Sequence, residues 1–145
     1  IKDEPLPTPP QEPVDPGASK FPPPNSAKNY EATYTDDAGV EKKVRMLLAP
    51  SNQGGAQLLT ELLLAIRTIE TTLFFDQNNS VRVYFPYAEW DLRYGSIIAR
   101  TTMMNGGVSF RLTLDCENVL EGFHCKYFSA LSNASRQLLF KPVSN

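Results

Sequence analysis

The sequence predicts an α+β domain: an antiparallel sheet of four to six strands with one main helix packed on one face, preceded by an extended proline-rich N-terminal arm. Three observations carry this. Asn105-Gly106 lies between two alternating runs, the strongest short-range hairpin signal a chain can show. Leu58, Leu59, Leu62, Leu63, Ile66, Ile69 and Leu73 recur at helical spacing. Nine of the twelve prolines fall within the first 29 residues, where large apolar side chains are almost absent.

That first segment, 1–29, reads as an arm. Proline removes a backbone donor and fixes φ, so the segment should be extended and solvated rather than helical or part of an inner strand. Residues 30–145 read as a single α+β domain. Roughly 115 residues are enough for a stable core without disulfides.

The domain's elements follow from period and punctuation. "YEATYT" alternates and breaks at "DDAG", and "KKVRMLLA" resumes the pattern up to Pro50, which suggests a hairpin. "SNQGG" supplies loop and cap residues for the helix at 56–72, whose wide apolar stripe suits a flat sheet. After the turn "DQNNS", "VRVYF" alternates up to Pro86. The hairpin around Asn105-Gly106 follows, with "GVSFRLTLD" as its second strand. Beyond it, "CENVLEGFHCKYFSALSNASRQ" reads as a helix capped by Asp115, with Val119, Phe123, Tyr127 and Leu131 in register and Gly122 weakening it. "RQLLFKPV" would close the domain as an edge strand, a place that tolerates Pro142.

Because strands send alternate side chains to opposite faces, Val44, Met46 and Leu48 inward turn Lys43 and Arg45 outward. The same rule turns Arg82 and Tyr84 away from Val81, Val83 and Phe85. With Asn105 and Gly106 as turn residues, Arg100 lies directly across from Arg111, where like charges repel. Arg45, Arg82, Arg100 and Arg111 thus share one expected face with Tyr84. Guanidinium forks suit carboxylate and phosphate, so a partner could justify the cluster. Ordinary solvent cover of a wet sheet face is the bland alternative.

Composition narrows the chemistry. Fourteen basic and sixteen acidic side chains give a formal charge of −2, so no global field draws the chain to nucleic acid or an anionic membrane, and a basic site must be local. No apolar run approaches the ~20 residues of a membrane helix, and no secretory signal is read. The single histidine, His124, lacks the company a zinc site needs, and its neighbour Cys125 diverges from it in either regular conformation. The glycine pairs lack the spacing and lysine of a phosphate cradle, and no carboxylate pair sits in an apolar setting. Neither an enzyme, a cofactor nor a small-molecule substrate is therefore expected. Cys116 and Cys125 read as reduced, buried thiols; the alternative is one bridge across nine positions.

Three short motifs remain. "IKDE" resembles the acceptor consensus for a small ubiquitin-like modifier at Lys2, and Thr8 before Pro9 resembles a proline-directed kinase site. "LTELL", Leu59 to Leu63, matches a coactivator box, but its leucines belong to the core-facing stripe. The function expected is that of a non-enzymatic protein-interaction or assembly subunit. Its arm, with Phe21, Pro22, Pro23 and Pro24 foremost, binds a protein partner or a neighbouring copy. One alternative is a regulatory binding module of a nuclear, transcription- or chromatin-related protein. Another is a nucleic-acid-binding domain using the arginine-lined face. An intracellular location, nuclear or cytoplasmic, accompanies these expectations.

Overall fold

The computed structural model describes residues 21–51, 63–75 and 81–143. They form eight antiparallel strands: β1 (Lys28–Thr35), β2 (Glu41–Pro50), β3 (Ile66–Phe74), β4 (Arg82–Asp91), β5 (Ile97–Asn105), β6 (Val108–Val119), β7 (Gly122–Ser129) and β8 (Ala134–Pro142). Each pairs with the next in sequence. β1 returns to β8 through Tyr30↔Pro142 and Glu31↔Lys141, so the sheet closes into an up-and-down barrel.

This corrects the α+β expectation, and closure supplies the reason. Period-two patterning does mark one apolar face, but the cover for that face is the opposite wall of the same sheet, so no helix is required. Val44, Met46 and Leu48 of β2, Val83 and Phe85 of β4, and Leu112 and Leu114 of β6 all point inward and are buried. Closing eight strands leaves an interior just wide enough for side chains to fill. Phe85, Phe140, Leu138 and Ile69, each fully buried, occupy it.

The expected helix at 56–72 is corrected as well. Leu63 and Leu64 are helical but exposed, residues 66–72 belong to β3, and 52–62 lie outside the described residues, so the expected helix does not run on to 72 and its described leucines do not face a core. Ile66, Thr68, Ile69, Thr71 and Thr72 are β-branched, a composition that favours strand over helix. Register with β4 also shifts between Ile69 and Thr71, opposite Pro86 and Tyr87. β4 therefore continues through Pro86 to Asp91, with the proline sited at an irregularity that spares the ladder.

The expected helix over 116–137 is overturned too. Residues 116–119 end β6, the chain reverses at Leu120 and Glu121, and Phe123, Cys125 and Tyr127 alternate inward on β7. A spacing of four, as in Val119, Phe123 and Tyr127, is a multiple of two and satisfies both periods. The cysteines are not reduced thiols: Cys116 and Cys125 are directly paired across β6 and β7 and joined as a disulfide inside the barrel. β8, expected at an edge, has neighbours on both sides.

Candidate functional site at the Trp90 end of the barrel

One end of the barrel gathers the start of β1, the ends of β4 and β8, and the reversal between β6 and β7. Tyr30, Trp90 and Phe123 meet there with edge-on rings, Tyr30 and Trp90 lying 5.1 Å and 5.8 Å from Phe123 between centroids. Offset and edge-to-face contacts of this kind add to what burial alone supplies. Burial also pushes the Tyr30 hydroxyl above its usual pKa.

Phe21 packs against this cluster, and its carbonyl oxygen accepts a 2.8 Å hydrogen bond from Trp90 Nε1. Pro23 is buried and Pro24 half-buried, whereas Asn25, Ser26 and Ala27 are exposed before β1 begins. Beside Phe21 and Pro22 the surface opens into a pocket of about 350 Å³, with Tyr30, Trp90, Leu120 and Phe123 in its wall.

The β4–β5 connection forms one side of the site. Asp91 folds it: its carboxylate accepts the backbone amides of Arg93 at 2.8 Å and Tyr94 at 3.3 Å, and a two-pronged contact from the Arg93 guanidinium. The Arg93 side chain is the main cause holding the Asp91 carboxyl below the usual carboxylate range. Because the folded value is depressed, the contact stabilises fully above the ordinary value near 3.8 and is lost as pH falls through the folded value. Replacing Asp91 with alanine is expected to cost about 1 kcal/mol at neutral pH, a modest figure because the pair is largely solvated. Urea midpoints of the two chains should draw together as pH falls below 3.8 and through the depressed folded value; a gap independent of pH would show that the carboxylate's charge is irrelevant.

The arginines lie elsewhere. All four point outward as alternation requires, but eight strands around a closed wall turn the surface by roughly 45° per strand, so β2 and β6 face nearly opposite ways. Arg45 and Arg82 are brought together: they flank Phe74 in one row, and Arg45 lies 4.2 Å above its ring. Arg45 also donates to Asn29 Oδ1 at 2.8 Å. Tyr84 is two positions along β4 from Arg82, exposed, its hydroxyl pushed up by partial desolvation and by Glu70.

Arg100 and Arg111 make a second group, but not as facing partners. The residues that reverse the chain are Gly106 and Gly107, both at positive φ, rather than Asn105 and Gly106. Arg100 therefore faces Thr113, Arg111 faces Thr102, and the two guanidiniums are diagonal neighbours. Arg100 instead borders an outer groove of about 440 Å³ with Asp115, Glu117, His124 and Lys126. Two opposed cross-strand pairs, Asp115↔Lys126 and Glu117↔His124, line its floor.

Among the described residues, no three of His, Cys, Asp and Glu gather closely enough to hold a metal ion. Lys2 and Thr8 lie outside the described residues. Of the interaction residues expected from the sequence, Phe21 packs against the chain's own barrel, Pro22 borders the pocket beside it, Pro23 is buried and Pro24 half-buried. Sequence reasoning missed Trp90 as the group that holds Phe21. It is the only tryptophan, and Phe21 is the only aromatic residue before Tyr30. No family model matches the chain, and no curated protein or solved structure matches it either.

Proposed function

We propose that the protein is a non-enzymatic assembly subunit, a rigid barrel that carries a proline-rich arm and associates with a neighbouring copy through it. The Trp90–Phe21 bond is the observation that carries this reading, because it shows the barrel end engaging the aromatic–proline stretch of the arm. Proline-rich chain loses little entropy when held extended, and aromatic-lined grooves are its usual receptors. A filled interior adds support: the barrel's centre is occupied by its own side chains, which directs recognition to the ends and the outer wall.

The charged outer wall bears on the other readings. Arg100, Arg111, Asp115 and Lys126 stand at mid-strand positions facing outward, a pattern suited to water rather than to the apolar band of a lipid-facing barrel. Division of the four arginines between two parts of a curved wall weakens the nucleic-acid reading, which needs a continuous basic track. The Cys116–Cys125 bridge argues for an oxidising compartment, against the nuclear and cytoplasmic setting that the regulatory reading requires.

Light scattering on the full chain, and on a chain lacking residues 1–24, tests the proposal. All eight strands lie beyond residue 24. The full chain should scatter as a dimer or larger species at about 100 μM, a concentration suited to weak association. The shortened chain should be monomeric with its strand-type circular dichroism retained. A monomeric full chain, or assembly unaffected by the deletion, would remove the proposal.

A further inference from the structure

We infer that the Trp90 end of the barrel is a recognition site for an aromatic–proline–proline peptide, filled in the isolated chain by its own Phe21–Pro23 and open to the same segment of a second copy. This deepens the assembly reading by naming the surface that receives the arm.

Three features make the site more than a packed end. The Trp90 indole donates to a main-chain carbonyl, a contact that reads backbone and tolerates an extended proline conformation lacking N–H groups of its own. Gly95 leaves the space in which Phe21 sits: a Cβ built there would come within 2.8 Å of Phe21 Cβ and 2.9 Å of Asn118 Nδ2. That glycine is also at φ +71°, a conformation L side chains rarely adopt. The pocket continues past Pro22 along Leu120 and Phe123, so the surface offers more contact than the bound segment uses.

Exchange between copies is geometrically simple. Half-buried Pro24 and the exposed Asn25, Ser26 and Ala27 separate the seated segment from β1, and swinging them outward moves Phe21 to another barrel without breaking any strand. A short connection between a docked segment and its domain is the usual hinge of such swaps. The segment and its receptor are present in every copy, so exchange preserves each contact while linking two chains.

Trp90 reports on the site directly, because it is the only tryptophan and is buried. In the full chain carrying Phe21→Ala, its emission should shift to the red. Adding the peptide Ser-Lys-Phe-Pro-Pro-Pro-Asn-Ser, the sequence of residues 19–26, should restore the original emission, with half-saturation at about 100 μM to 1 mM for so small a contact. The same peptide with alanine for phenylalanine should bind at least about tenfold more weakly, the ratio expected when a buried ring is lost. Gly95→Ala, which places a methyl group against Phe21, should cause the red shift without rescue.

Should Phe21→Ala fail to fold, fluorescein-labelled peptide and the unaltered chain answer the question by anisotropy. Binding should be measurable but weakened, because the chain's own segment competes for the site. Absence of peptide binding to both chains, or equal rescue of the Gly95→Ala chain, overturns the inference. Peptide binding without self-association would remove the assembly reading and leave this site standing; self-association without peptide binding would do the reverse.

Discussion

Replacing Cys116 and Cys125 together with alanine is expected to lower the melting temperature by roughly 10–15 °C. The bridge closes a loop between residues nine apart, for which chain entropy alone gives about 2–3 kcal/mol. Both side chains are almost fully buried within the barrel, so their removal also leaves space that a packed interior cannot readily refill. For a domain of this size, each kcal/mol is worth roughly 3–5 °C. Calorimetry of the paired variant measures the loss. A change under 3 °C would mean that the ladder between β6 and β7 holds this part of the wall without the covalent link.

Gly122→Ala should be at least as damaging, by a different route. Gly122 opens β7 with φ +151°, and a Cβ there would collide with the carbonyl oxygen of Phe140. The obstacle is backbone in β8, not the tip of a flexible side chain, so relief requires β7 and β8 to separate near the Phe123↔Phe140 pair. Both phenylalanines are buried core residues, and Phe123 also centres the aromatic cluster under Phe21. We expect a loss of about 3 kcal/mol or more, in the range typical of severe core lesions, with a red-shifted Trp90 emission as the Phe21 cap loosens. Urea unfolding followed at Trp90 checks both effects. A variant with unaltered midpoint and emission would show that the strands can part there at little cost.

The sequence discloses strand faces better than strand partners. Val44, Met46, Leu48, Val83 and Phe85 are expected inward and are buried, whereas Val81, expected with them, precedes β4 and is exposed. Alternation is a local property, legible within six residues. Closure is not local: whether a sheet curls until β1 meets β8 depends on twist and stagger summed over all eight strands, and no short segment carries that sum. β3 was hidden for a local reason. Ile69 and Leu73 are four apart, which suits a helix, and the buried position between them on the same face holds a polar residue, Thr71. Its β-branched residues were the countervailing signal.

The disulfide was nearer to hand. Counting outward from a reversal at Leu120 and Glu121, Cys116 and Cys125 are each four residues away and so must face each other. Reading that region as helix concealed the symmetry. The same applies in part to the candidate site. Phe21 stands alone as a bulky side chain in the arm, a signal that it is seated somewhere. That its receptor is Trp90, 69 residues along the chain, emerges only when the barrel's ends are assembled.

Closure is the claim on which the rest depends, since an open sheet would leave its apolar face bare and Trp90 without the β1 and β8 residues around it. Amide hydrogen exchange combined with cross-strand nuclear Overhauser contacts tests it most directly. The account predicts contacts between Glu31 and Lys141, and slow exchange of the Val143 amide, which donates to the Asn29 carbonyl at 3.1 Å. β1 and β8 amides exchanging rapidly along their outer edges, with no contact between the two strands, would contradict it.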